Sequence, residues 1–336
     1  MPLVVRPVVA DDLPNLLEFA ASLGSGMTTM PADTKVLKAK IELSCLSFTQ
    51  LQAQDNKAYL LVLEELTTSR LLGTAAVYTQ IGAPDGFYSY RQIRLMHRSR
   101  SLGLAKSQDQ LVLSNEFTGA TEVGSLAVRP ELKGTGAGQL LARARYLLMA
   151  AAPERFGDVV MAELRGYQDE NGRNPFWDAV GSHFFDMEFA QASLLAATRG
   201  NEFIAELMPR TPLYLSLLPP AARAAVGRPH PSSAPALAML RREGFSYQGS
   251  VDVFDAGPQV SAERSAIMTV RASRRGVVGP STASPRDLLV AIDDLGRFRV
   301  IRTTCSVGED RIALPAAAAA ALQVAEGEAV RWVEAG

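Results

Sequence analysis

The sequence predicts a mixed α/β protein, an α+β arrangement of two successive sheet-and-helix halves followed by a small β-rich extension. Three observations carry this. Strand-like and helix-like stretches alternate up to about residue 150, in the order strand, helix, helix, several strands, helix. The alternation recurs more loosely between residues 158 and 254, and from residue 287 a compact alternating segment encloses one Ala-rich run. At 336 residues the chain exceeds one average domain, so two or three packed units are expected. The expected boundaries are 1–150 for the first half, 151–268 for the second, 269–286 for a linker and 287–336 for the extension.

Each element has its own signal. LVVRPV at the N-terminus reads as a short strand, and Asp11–Asp12 caps the helix LPNLLEFAASL, with Pro14 in its first turn. A second helix spans roughly 33–48. Lys57–Glu65 and Leu71–Gln80 have strand character on either side of a polar turn, which makes a hairpin. Leu111–Asn115 and Glu122–Val128 follow as strands. In the second half Asp158–Leu164 is a strand, Pro175–Phe185 begins a helix, and Glu202–Leu207 is a strand with acidic interruptions. Pro235–Glu243 is a helix stopped by Gly244, and Tyr247–Phe254 is a strand region. RASRRGVVGPSTASPRD has the Arg, Ser, Gly and Pro content of a linker, and the Ala run 316–321 is a helix former.

Composition narrows the function classes. The chain is 47% hydrophobic and 21% charged with a formal net charge of −1, the balance of an ordinary globular protein. No basic excess argues for nucleic acid, and no apolar run approaches the roughly 20 residues of a membrane span. MPLVVRPVVADDL lacks the basic start and apolar core of a signal peptide, which points to the cytoplasm. Cys45 and Cys305 are too isolated for a disulfide frame or a zinc site, so no metal is expected.

The stretch Ser125–Met149 is the most informative. The apolar strand SLAV leads to Arg129–Pro130, then to Lys133-Gly134-Thr135-Gly136-Ala137-Gly138, and at once to the helix QLLARARYLLM. A basic residue and spaced glycines between strand and helix leave backbone N–H groups at a positive helix end, the arrangement a diphosphate requires. A side chain at Gly136 or Gly138 would stand between those amides and phosphate oxygens. A glycine-rich turn without a ligand fits the same letters. The Rossmann fingerprint belongs near the start of a βαβ unit and the Walker pattern is absent, so the reading is a coenzyme A cradle.

In this setting the cradle resembles that of the Gcn5-related acyltransferases. The segments VVMAELRGYQDENGRNPFWDAVGSHFFDMEF, NEFIAELMPRTPLY, GRPHPSSAPALAMLRREGF and DVFDAGP, with VRPVVADDL and SLAV, resemble the arginine N-succinyltransferases in order over residues 1–262. The resemblance implies tandem acyl-CoA N-acyltransferase-like halves. It also implies transfer of succinyl from succinyl-CoA to the α-amino group of arginine, in arginine catabolism, with ornithine as a second acceptor in some members. Succinyl-CoA is then a co-substrate and no cofactor is bound permanently. Versions built from two related chains imply a homo-oligomer or a hetero-oligomer. Residue by residue, His230 takes the position of the proton donor and Leu126 that of a succinyl-CoA contact. Gly134 and Thr135 replace the family's basic and acidic spacers, and Pro229 replaces a valine.

The chemistry gives these residues work. Transfer from a thioester to an amine needs a neutral nucleophile, oxyanion stabilisation and a proton for the leaving thiolate. Amides near Leu126 and Val128 are placed to polarise the thioester carbonyl, while Lys133, Gly134, Gly136 and Gly138 hold the diphosphate. His230 would give a proton to sulfur or pass on one taken from the amine; a plain turn residue between two prolines is the alternative. His183, beside Phe184 and Phe185, reads as packed. For the acceptor, Glu163 and Glu206 sit in apolar stretches where an unpartnered acid is costly, and a guanidinium prefers a carboxylate that takes two hydrogen bonds. An ion pair between Glu163 and Arg165 is the alternative for Glu163. Arg210 is a weaker candidate for the substrate carboxylate, and Asn174-Pro175-Phe176-Trp177 for an apolar wall. Asp252 and Asp255 read as turn or edge residues. Two further functions fit the sequence: an acyl-CoA-dependent N-acyltransferase with another amine acceptor, and a non-catalytic partner subunit.

Overall fold

The structure, a computed structural model, describes residues 3–23, 29–49, 57–189, 191–192, 195 and 206–336. In chain order its strands are β1 (Leu3–Pro7), β2 (Ala58–Glu65), β3 (Arg70–Tyr78), β4 (Ser89–Ser99), β5 (Leu104–Ser114) and β6 (Thr121–Val128). Then come β7 (Val159–Glu163), β8 (Leu213–Tyr214), β9 (Ser246–Asp252), β10 (Pro258–Glu263) and β11 (Arg274–Val278). The last are β12 (Pro285–Ile292), β13 (Val300–Val307), β14 (Arg311–Ala313) and β15 (Ala329–Glu334). The three long helices are α1 (Leu13–Ser22), α2 (Thr34–Thr49) and α3 (Ala137–Ala151). The mixed α/β class read from the sequence is the class observed.

The chain forms two compact units, one of Met1–Thr79, Val123–Asp158 and Glu263–Gly336, the other of Gln80–Glu122 and Val159–Ala262. This differs from the expected boundaries because pairing is not sequential. β4 and β5 hydrogen-bond to β9 and β8, which takes residues 80–122 out of the first half. The C-terminal strands return to the first half, where Val300 of β13 pairs with Val5 of β1.

In the first unit the strand order is β12-β15-β11-β14-β13-β1-β2-β3-β6. The expected hairpin is β2–β3, in register from Ala58↔Tyr78 to Glu65↔Arg70. α1 and α2 bury Leu16, Phe19, Leu37 and Ile41 against Leu60 and Val62 of β2, the apolar stripe their spacing predicts. Asp12 does not cap α1 with its side chain; it accepts from Val9 N–H at 2.8 Å and pairs with Arg6 at 2.7 Å. The extension closes on itself, since β12 pairs with both β15 and β13. Val290, Ile301, Ile312, Leu322 and Trp332 fill it, with the Ala-rich helix Ala316–Leu322 as expected.

Residues 269–286 are not a linker. They carry the end of the helix Met268–Ala272 and the whole of β11, which pairs antiparallel with β15 and parallel with β14. Gly276, read as a linker residue, is a packing glycine: a Cβ there would stand 2.2 Å from Asp310 O and 2.6 Å from the Trp332 ring.

In the second unit the order is β7-β10-β9-β4-β5-β8, with Thr121 and Glu122 of β6 paired in parallel to Val160 and Met161. The sequence reading missed β4 and most of β5. Their outer halves are exposed on both faces, so no polar-apolar alternation marks them. The core of this unit gathers around Trp177, whose ring centroid lies 4.5 Å from that of Phe254 and 5.2 Å from that of Phe185. The strand expected at 202–207 falls largely outside the described residues; Glu206 and Leu207 are helical.

Candidate active site

β6 carries one irregular residue, three positions before its end. Ser125 has φ +49, rare for a residue with a Cβ; its hydroxyl lies 2.7 Å from Tyr78 OH and its carbonyl accepts from Thr74 Oγ1 at 3.0 Å. Leu126 and Val128, both half-buried, follow it on the same strand. Arg129 is buried and spent on structure, donating to Leu71 O at 3.0 Å and to Glu18 Oε1 at 2.8 Å.

The glycine turn follows. Gly134 (φ +81) and Gly136 (φ +88) occupy left-handed backbone that favours glycine. Gly136 is the N-cap of α3 and no side chain caps that end. Thr135 Oγ1, which donates to Leu132 O at 2.7 Å, is a long 3.4 Å from Ala137 N. Leu140 N makes the first intrahelical bond, to Gly136 O at 3.0 Å, so the amides of Gly138 and Gln139 have no acceptor within the helix. They sit at the positive end of the helix dipole. Gly138 differs from the other two: its φ is ordinary, and a Cβ would touch only the Val128 methyls at 4.0 Å.

Two cations border this turn. Lys133 is exposed beside it. Arg302 of β13 places Nη1 3.0 Å from where a Cβ on Gly136 would stand, while its Nε donates to Asp287 at 3.0 and 3.1 Å. The extension is also tied to α3. Arg143, 4% exposed, donates to Glu334 O at 2.8 Å, Ala335 O at 2.7 Å and Thr269 Oγ1 at 2.8 Å.

In the second unit the chain beyond β7 pairs with the histidine segment. Tyr167 N donates to Arg228 O at 3.0 Å, Gly166 bridges to Pro229, and His230 N donates to Arg165 O at 2.7 Å. His230 is half-buried, with Nδ1 2.7 Å from Ser232 Oγ and 3.2 Å from Ser232 N. Burial, and secondarily the Arg165 charge, lower its pKa and favour neutral imidazole.

Two residues before Arg165 stands Glu163, whose Oε1 accepts from Gln259 Nε2 at 2.7 Å; Gln259 Oε1 in turn accepts from Ser250 Oγ at 2.7 Å. Asp252 Oδ1 accepts from Phe254 N and Asp255 N at 2.7 and 2.8 Å, and Asp255 accepts from Gly166 N and Gly257 N at 2.6 and 2.7 Å. Asp252 ends β9 and Asp255 lies in the turn that follows it. Burial first, then the charges of Asp252 and Glu122, hold Glu163 well above the usual carboxylate range. Burial and Asp252 push Asp255 up to about 8. Among the described residues no cation pairs with Glu163, Asp252 or Asp255, and the Glu163–Arg165 ion pair does not form: Arg165 is exposed and bonded to Gln168.

Residues 3–269 match the family described as arginine N-succinyltransferase beta subunit, and residues 269–334 match that description's C-terminal domain. The chain belongs to the arginine N-succinyltransferase family. Members of this family are acyltransferases, and so is this chain. A relative of that name from Enterobacter sp. (strain 638) is 37% identical over 334 residues, spanning 98% of this chain and 97% of its own. One from Yersinia enterocolitica is 40% identical over 333 residues, spanning 98% and 96%. The solved structure of arginine/ornithine succinyltransferase subunit AI from Pseudomonas aeruginosa superposes with a TM-score of 0.90 at 35% identity, covering 100% of this chain and 99% of that one.

Several residues singled out in this arginine N-succinyltransferase family sequence stand elsewhere than expected. Glu206 is helical and exposed, so the cost of burying it in an apolar strand does not arise. Arg210 is exposed, and among the described residues no hydrogen bond or ion pair joins it or Glu206 to Glu163 or His230. Phe176 and Trp177 are 0% exposed and form core, not a substrate wall. Asn174 is a buried clamp, donating to Tyr167 O and Asp255 O and accepting from Trp177 N at 2.6 Å. His183 is exposed, not packed, because its helix ends after Phe185 and only that side chain turns inward. Cys45 and Cys305 are free. Reading along the chain missed Arg302, Gln259 and Ser232; only the Ser-Ser after His-Pro hinted at the last. Among the described residues no group of three His, Cys, Asp or Glu side chains is placed for a metal, and no helix is long and apolar enough to cross a membrane.

Proposed function

We propose that the chain transfers the succinyl group of succinyl-CoA to the α-amino group of arginine, with the Gly134–Gly138 turn gripping the CoA diphosphate. The observation that carries this is the uncapped start of α3, with amides at Gly138 and Gln139 open and Arg302 and Lys133 beside them. Gly138 adds weight: the fold leaves room for a side chain there, so a glycine suits a ligand that approaches the backbone closely. Leu126 and Val128, just after Ser125 on β6, are the positions whose amides would polarise the thioester carbonyl.

His230 serves the leaving sulfur, and Glu163 the arginine guanidinium. A carboxyl whose ionisation burial disfavours, with no cation of its own among the described residues, gains most when a guanidinium arrives, since an opposite charge nearby favours the charged form. The family also contains proteins described as subunits, and assembly with a second copy or a related chain belongs to the same proposal. The deciding experiment measures thiol release from succinyl-CoA with arginine, ornithine or lysine, on the chain alone and with a related chain. Release dependent on arginine supports the assignment; release with another amine only would replace the acceptor, and none under any condition would leave a partner subunit.

A further inference from the structure

We propose that Ser232 is a positioning residue that holds His230 as the neutral tautomer with its proton on Nε2, so that the imidazole meets substrate as a hydrogen-bond donor and not as a base. This rests on the reading that His230 acts in the transfer, and it decides between the two parts that chemistry allows the ring.

The hydrogens around Nδ1 decide the tautomer. His230 stands at the N-cap of the short turn Pro231–Ser233, and its ring folds back so that Nδ1 meets both the backbone N–H of Ser232, at 3.2 Å, and the Ser232 hydroxyl, at 2.7 Å. A backbone N–H donates and never accepts, so the ring nitrogen that receives it must present its lone pair. A proton on Nδ1 would set two hydrogens face to face. Turning the ring over would place a carbon against both donors and leave them without an acceptor. Neutral imidazole has one N–H, which therefore sits on Nε2.

The backbone holds the ring in this pose. His230 N is committed to Arg165 O at 2.7 Å, His230 O accepts from Ser233 N at 2.9 Å, and Pro229 and Pro231 fix φ on either side. The charge of Arg165, on the segment paired with His230, opposes a second proton on the ring.

The consequence for the reaction is specific. The amine nitrogen bonds to the thioester carbon and the C–S bond breaks with its electron pair on sulfur. Nε2–H stabilises the departing thiolate by a hydrogen bond, and the proton shed by the new amide nitrogen converts the thiolate to free thiol. The imidazole begins and ends with one proton on Nε2.

The test is nitrogen NMR on 15N-histidine-labelled full-length chain at neutral pH, with steady-state kinetics on the same preparations. His97 and His183 are separated from His230 by a His230→Gln sample. The wild type is expected to show an unprotonated Nδ1 and a protonated Nε2. Ser232→Ala removes the nearer contact and leaves Nδ1 only the longer 3.2 Å bond from the backbone N–H, a weaker hold on the tautomer; it should give a mixture of tautomers and lower kcat about three- to tenfold while both KM values hold within about twofold. Ser232→Thr should restore both. A protonated Nδ1 in the wild type overturns the inference, as does a loss of kcat in Ser232→Ala with the tautomer unchanged, or no change in either. Full turnover in His230→Ala would instead remove His230 from the transfer and leave the tautomer result standing.

Discussion

Nη1 of Arg302 lies 3.0 Å from the point where a Cβ on Gly136 would stand, and Asp287 holds the same guanidinium from its other side through Nε. The extension, joined to α3 through Arg143, thus brings a cation to the open end of that helix. Arg302→Ala should raise KM for succinyl-CoA about five- to tenfold, the worth of one partly exposed charge-assisted hydrogen bond. KM for arginine should not move. Because the Arg302–Asp287 pair is exposed, stability should change by less than about 1 kcal/mol, read from a urea midpoint.

Gly138 separates fold from ligand. Gly138→Ala meets no protein atom closer than 4.0 Å and replaces a poor helix former, so stability should hold or rise by about 0.5–1 kcal/mol. CoA affinity by calorimetry should nonetheless fall at least about tenfold. A variant that binds CoA normally would show that no phosphate sits against those amides.

Glu163→Gln keeps the side chain's shape and can still meet Gln259, yet it cannot carry the charge a guanidinium needs. KM for arginine should rise about ten- to hundredfold, the scale of a lost hydrogen bond to a charged group, with KM for succinyl-CoA unchanged. An unmoved arginine KM would place the guanidinium elsewhere.

The carboxyls around Gly166 and Gly257 make stability depend on pH. The unfolded chain gives up the Asp255 proton near pH 4, whereas the folded chain keeps it up to about pH 8. The folded state binds more protons in between, so this contribution is complete below pH 4 and is lost as pH rises through 8. The loss is at most about 1.4 kcal/mol per pH unit for each such group. Tm should be lower at pH 9 than at pH 6, and Asp255→Asn, which has no carboxyl proton to lose, should flatten the difference. Equal Tm values in wild type at the two pH values would mean that Asp255 is ionised throughout.

Much of this was legible along the chain wherever neighbours in sequence set the outcome. The β2–β3 hairpin, α1, α2, the Ala-rich helix and the glycine turn all rest on local periodicity, local turn chemistry or glycine's freedom at Gly134 and Gly136. The outer β4–β5 hairpin was not legible, because strands exposed on both faces carry no alternation. β11 was hidden by its composition, Gly276 serving the approach of Asp310 and Trp332 from far along the chain.

The sequence by itself determined the class of fold, the glycine turn and the family resemblance of the His-Pro segment, since each is written in residues adjacent to one another. Only the tertiary structure decided that Glu163 is paired with Gln259 and not Arg165, that Trp177 is core, and that Arg302 stands at Gly136. Partners fixed by packing between distant strands leave no local trace, because burial and pairing are properties of the folded chain and not of any one segment.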